Sequence, residues 1–292
     1  MFKNGVIKNK YDPRDKQYVK LFSASTPFDW SVGYDVEKEI SKVIGQPYKT
    51  KVKDQNGSGS CGGQTGSYYM GWLEAIQNKT FSNKSAKDIY SQIYYPQGGV
   101  APRDLVAFLT SKGVCREVII PSYDNGKAPS ENFMREKKQT PESKADALNA
   151  KALKYATVKL DIDTIAQAIR DNYGCVITLG GQDNGTWLSA FPKPPVKEVW
   201  GHYMAFGRAK MINGKKYLGA IQSWGEDVGD KKDIGWQWFG EEWIKHFSNC
   251  YTLYNPIDPV VQDKVTLVEK ILNLCYDLLS KLGYKTKKKV IS

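Results

Sequence analysis

The apolar pattern of this chain changes character once, near Leu153. Before that point, helix-like spacing recurs at 68–76, 86–93 and 102–112. After it, short β-type runs dominate. Residues 157–160 read as a strand, 163–171 as a helix, and 175–179 as a buried strand ending at Gly180-Gly181. Strand-like runs follow at 203–207, 216–223 and 236–239, with Asn213-Gly214 as a hairpin-type turn between the first two. A helical half followed by a β-rich half predicts an α+β fold of two lobes. The polar, Lys/Glu/Ser-rich segment 125–153, with Pro129 and Pro141, reads as a surface excursion.

Both ends differ from this middle. Residues 1–27 read as an extended polar arm, punctuated by Asp12-Pro13 and Pro27. Pro256 and Pro259 open a C-terminal segment, 256–292, of linker, amphipathic helix and basic tail. Val265, Val268, Leu272, Cys275, Leu279 and Leu282 form a heptad seam, and Leu267, Ile271, Leu274 and Leu278 a second stripe beside it. That face is wider than a dimer needs. It predicts an assembly helix over 265–282, joining copies of the chain or subunits of a larger particle such as a phage virion. Docking on the chain's own core and lying on a membrane surface are the alternatives.

Length and composition set outer limits. A chain of 292 residues with 41% apolar and 12% aromatic content can bury a substantial core and is not a disordered polymer. The net charge of +11 permits acidic partners, but the lysines form a block only at 285–289, so nucleic acid is not an expected partner. No apolar run is long enough for a membrane span, and the N-terminus lacks a signal-peptide core. The 5 cysteines, at 61, 115, 175, 250 and 275, are far apart with no CxxC pair. That argues against a disulfide scaffold and a zinc site, and for reduced thiols in a cytoplasmic-type or virion setting. No cofactor or metal is expected.

The chemistry narrows on a few residues. Cys61 follows a small, Gly-rich turn (55–60) and precedes a helix-like stretch, where backbone N–H groups and the helix dipole favour a thiolate. The other cysteines lie in apolar contexts and read as small buried hydrophobes. Only two histidines exist, His202 and His246. His202 opens the apolar run 203–207. Twenty residues on, Gln222-Ser223-Trp224-Gly225 ends another strand, where the Gln222 amide could hold the imidazole and Trp224 could shield it.

Gln55-x5-Cys61, then Gly201-His202-Tyr203-Met204-Ala205-Phe206-Gly207, then Gln222-Ser223-Trp224-Gly225 resemble the papain-like cysteine peptidases in order and spacing. Gly98-Gly99 and the run 235–238 add to the resemblance, which covers roughly 28–255. It implies a helical lobe at about 28–124 and a β-barrel-like lobe at about 153–255, with a cleft between them. It further implies Cys61 as nucleophile, His202 as its acid–base partner, and Gln222 as orienter of the imidazole. Gln55 and the Cys61 N–H would form an oxyanion hole. Gly98, Gly99, Gly201 and Trp224 would line the substrate site, the glycines binding an extended peptide. The expected partner is a peptide or protein substrate.

The chain also departs from that pattern. Gln222 stands where the family has Asn; its extra methylene moves the amide by about 1.3 Å, so weaker fixation of His202 is expected. Gly62 replaces a Trp. Ser58 and Pro96 occupy the neighbourhood of the family's cleft-flanking disulfide. The arm is too short to resemble the inhibitory propeptide, so latency is either unneeded or comes from another device. These departures keep a second expectation open: a structural or binding protein on the same fold, with weak or lost activity.

Overall fold

The computed structural model describes residues 5–7, 15, 17–18, 26–152, 154–230 and 232–254. The predicted helix over 265–282 and its assembly role lie outside the described residues, as does Cys275.

Four helices build the first half. They are α1 (Val36–Ile44), α2 (Cys61–Asn78), α3 (Ala86–Ile93) and α4 (Pro102–Ser111). Asp35 caps α1 by accepting from the Glu37 N–H, Ser85 caps α3 by accepting from Asp88, and Pro102 starts α4 where its missing N–H costs nothing. Helix α2 is central. Its residues are buried almost throughout, as expected of a helix enclosed on all sides. Glycines make the enclosure possible: a methyl group at Gly63 would stand 2.6 Å from the Ala86 carbonyl oxygen. Met70 and Leu73 of α2 pack in one core with Ile89, Leu105 and Leu109.

The segment 125–153 departs from the expected excursion. It forms α5 (Glu131–Arg135) and α6 (Pro141–Leu148), capped by Ser130 and Thr140. Met134 is fully buried in the helical core. One buried apolar residue per short helix, Met134 and Ala147, is too weak a periodicity to register in the sequence.

Antiparallel strands, all but the first from the second half of the chain, make the other lobe. In chain order they are β1 (Tyr34–Asp35), β2 (Lys154–Thr157), β3 (Cys175–Gly181), β4 (Trp200–Ile212), β5 (Lys215–Ile221), a small hairpin of β6 (Gly229–Asp230) and β7 (Asp233–Ile234), β8 (Trp236–Gly240) and β9 (Phe247–Tyr254). The main sheet runs β2-β9-β3-β4-β5-β8, with β1 added to β4. Helix α7 (Ile162–Asn172), capped by Asp161, packs its apolar face on the sheet. Strand β2 lies earlier than the expected 157–160, because Asp161 must leave the sheet to cap α7. A second core of Ile165, Ile169, Ile177, Phe206, Phe239 and Trp243 fills this lobe.

The two cores meet along α2 and β4. Trp72 stacks on Trp236 with centroids 5.9 Å apart, and the Arg208 guanidinium lies 3.7 Å over the Trp236 ring. Arg208 is buried yet paired with Asp35, Glu37 and Asp233, which meets the requirement for a charge taken out of water. The junction carries Cys61 at the start of α2 and His202 at the start of β4.

Candidate active site

Cys61 is the first residue of α2. Its N-cap, Ser60, makes no side-chain cap. The N–H groups of Tyr203, Gly62 and Cys61 face the sulfur instead. Tyr203 follows His202 on β4, so the backbone next to His202 meets the sulfur from the other lobe. The absence of a side chain at Gly62 leaves room for Val100, whose Cβ would stand 3.3 Å from a methyl group there.

His202 is buried, and its Nε2 lies 3.1 Å from Gln222 Oε1. The Gln222 amide nitrogen donates in turn to Gln237 Oε1, and Gln237 Nε2 donates to the carbonyls of Trp187 and Ser189. Three tryptophans surround the ring, with centroids at 4.5 Å for Trp224, 6.0 Å for Trp187 and 6.4 Å for Trp200. They keep water from the His202–Gln222 bond. The longer amide at 222 is therefore spanned between two partners rather than loosely held. The expectation of weaker fixation took no account of Gln237.

Gln55 is buried in the turn before Cys61. Its Nε2 donates to the Ser58 carbonyl at 2.7 Å, and its Oε1 accepts from Ser223 Oγ at 2.7 Å. In this state the amide is engaged within its own loop. Gly98 and Gly99 form a tight turn at φ +91° and +80°, with Gly98 N–H donating to the Tyr95 carbonyl.

A carboxylate joins these two loops. Glu131 Oε2 accepts from the Gly59 N–H at 2.6 Å, and Oε1 accepts from Tyr90 Oη at 2.6 Å and Arg135 Nε at 2.7 Å. Tyr90 Oη accepts from the Gly99 N–H at 3.1 Å. This chain of bonds spans the loops that carry Ser58 and Pro96.

The arm enters the site. The Gly5 N–H donates to the Gly201 carbonyl (3.2 Å), Val100 N–H donates to the Gly5 carbonyl (3.0 Å), and Ile7 N–H donates to the Val100 carbonyl (2.9 Å). Val6 and Val100 pair in parallel. The backbone that grips this extended segment is thus Val100 and Gly201, not Gly98 and Gly99. Gly99 contributes space, since a methyl group there would stand 2.6 Å from the Gly5 carbonyl oxygen. Elsewhere the arm is held by the Asp15–Arg103 ion pair and by Tyr18, which donates to Asp171.

Enclosure sets the charge state. Burial pushes the Cys61 thiol up to about 12, with the Glu131 carboxylate adding and the three N–H groups opposing. Burial pulls His202 down to about 4, against the Gln222 hydrogen bond. Both effects favour the uncharged thiol and imidazole while the site is enclosed. The four described cysteines are free and buried. His246 lies elsewhere, paired with Glu198 at 3.1 Å. No group of metal-ligating side chains occurs among the described residues, and none of the described helices is long and apolar enough to cross a membrane.

The sequence reading missed Gly5, Tyr90, Val100, Glu131, Trp187 and Gln237. Only Gln237 carried a local signal, a polar residue within the apolar run 236–239.

No family profile and no curated protein matches the chain. Solved structures do. Xylellain, a cysteine protease from Xylella fastidiosa, is similar at 21% identity over 87% of this chain and 97% of its own, with a TM-score of 0.67. The digestive procathepsin L2 proteinase from Tenebrio molitor larval midgut gives 15% identity, 87% and 78% coverage and a TM-score of 0.66. The bromelain protease from Ananas comosus gives 17%, 76% and 98%, and 0.59. The chain therefore has the fold of the papain-like cysteine proteases, in a divergent form.

Proposed function

We propose that the protein is a cysteine peptidase that its own residues 5–7 hold latent. One observation carries this reading: an extended peptide segment already lies against the Cys61 sulfur, held by backbone bonds to Val100 and Gly201. A site that grips backbone in this way draws affinity for an extended peptide from its main chain. The parallel pairing of Val6 with Val100 fixes the direction in which the arm crosses the site.

With the arm displaced, solvent reaches the pair. The desolvation that separates the two groups weakens, and the Cys61 proton passes to His202 Nδ1. The thiolate attacks the scissile carbonyl carbon, and its oxygen takes the negative charge beside the Cys61 N–H at the start of α2. Gln55 joins this oxyanion site if its amide turns from the Ser58 carbonyl. The imidazolium then protonates the leaving amine. Water, deprotonated by His202, hydrolyses the thioester and returns the free thiol.

A scaffold without activity is the competing reading, favoured by the raised Cys61 thiol in the closed state. Iodoacetamide labelling across pH 4–9, mapped by mass spectrometry, separates the two. Selective Cys61 labelling well below pH 7 in an arm-deleted chain, together with peptide cleavage that Cys61→Ala abolishes, supports the peptidase. Labelling only near pH 8.5, as for an ordinary thiol, supports the scaffold. The assembly role of 265–282, in an oligomer or a particle, is tested separately by the solution mass after removal of 260–292.

A further inference from the structure

We infer that Gln237 is a positioning residue that determines, through Gln222, which nitrogen of His202 carries the proton. The inference rests on the peptidase reading for its purpose but not for its geometry. At one end of the relay, Gln237 Nε2 faces the carbonyls of Trp187 and Ser189, the latter at 2.8 Å. Carbonyl oxygens only accept, so this end of the Gln237 amide must be its NH2 group. Its Oε1 then faces Gln222 and can only accept, so Gln222 presents its NH2 group there. That turns Gln222 Oε1 toward His202, 3.1 Å from Nε2. An acceptor at that place requires a hydrogen on Nε2, which leaves the Nδ1 lone pair free to take a proton.

The relay lies out of water. His202 is 2% exposed, and Gln222 and Gln237 are 0% exposed. Turning either amide would leave buried acceptors facing acceptors, with no water to compensate. The sheet explains why both residues are long. Gln237 pairs across the strands with Ala220, so Gln222 is its diagonal neighbour, about 7–8 Å away on the backbone. Two glutamine side chains close that gap. The Trp187 carbonyl that anchors the relay belongs to a residue whose ring also packs near His202, so anchor and imidazole are set by one loop.

The test uses the tautomer itself. Long-range 1H–15N spectra of the full chain at pH 7 contain only two imidazoles, and a His246→Asn variant assigns them. The expected result is His202 protonated at Nε2 only in the parent, and a tautomer mixture in Gln237→Leu. Cleavage of a fluorogenic peptide in a Gly5→Ala background should lose about tenfold or more in kcat on Gln237→Leu, with KM within about twofold. In a Gln222→Leu background the same change should do little, because Gln237 then has nothing to act on. A parent protonated at Nδ1 overturns the inference even if Gln237→Leu fails to fold. So does a Gln237→Leu variant that keeps tautomer and rate. Absence of cleavage alongside an Nε2-protonated His202 instead removes the peptidase reading and leaves the relay standing.

Discussion

Gly5 lies so close over Cys61 that any side chain would strike the sulfur: a methyl group there would stand 2.1 Å from Sγ. Glycine is thus required for this arm to cover the Cys61 sulfur. Gly5→Ala is expected to expel residues 5–7. Expulsion exposes the thiol, so iodoacetamide labelling of Cys61 at pH 7 should rise by about tenfold or more. Gly99→Ala offers a contrast. It also clashes with Gly5, at the carbonyl oxygen, but it obstructs the strand that would hold substrate. It should raise labelling while lowering peptide cleavage. Unchanged labelling in both variants would mean that the arm does not limit access.

Gln222→Asn should slow the reaction. A shorter amide cannot reach His202 and Gln237 together, and a buried polar group left unmade costs about 1–3 kcal/mol. If one such loss falls on the transition state, kcat drops by about fivefold to a hundredfold. Steady-state kinetics in the Gly5→Ala background measure it. A faster enzyme would show that the longer amide is a compromise at this site.

The sequence made the large features legible for physical reasons. Helix α2 and strand β4 carry strong periodic or continuous apolar patterns, and Cys61 and His202 stand at their starts, where local turn chemistry marks them. What stayed hidden is what distant segments do. Glu131 reaches Gly59 across 72 positions, and Gly5 reaches Gly201 across most of the chain. Neither contact leaves a periodic trace, because each depends on one residue in a polar stretch. The weaker fixation expected from Gln222 came from treating that amide alone, when its second partner, Gln237, sits on another strand.

Stability should fall as acid is added between pH 6.5 and pH 4, in part through His202. An unfolded histidine binds its proton near pH 6.5, whereas buried His202 does so only near about 4. In that window the unfolded state holds more protons, so stability rises with pH and is lost as pH falls. Above 6.5 both states are neutral and the contribution is flat. The full effect is roughly 3 kcal/mol. Thermal melts at pH 7, 5.5 and 4 should show a smaller acid-side fall in Tm for His202→Gln than for the parent. Equal slopes would mean that the imidazole is not buried as described.

Glu131 ties the Gly59 loop to the Gly98-Gly99 turn by hydrogen bonds, directly and through Tyr90. Its charge is what makes one side chain sufficient. A carboxylate accepts from Gly59, Tyr90 and Arg135 at once, and these hydrogen bonds hold it below the usual carboxylate range against the effect of burial. Glu131→Gln keeps the shape but puts an NH2 group against donors. The Gly59 amide should then exchange its hydrogen about tenfold faster or more, and kcat/KM in the Gly5→Ala background should fall about tenfold as the sulfur loses its fixed position. Arg135→Ala removes one of the three donors and leaves the Gly59 bond in place, so its effect on Gly59 exchange should be smaller. Acid should mimic Glu131→Gln: a depressed carboxylate supplies its stabilisation above the unfolded value and loses it as pH falls through the folded one. Gly59 protection that persists in Glu131→Gln would place the loop's restraint elsewhere, in the Gln55–Ser58–Ser223 bonds.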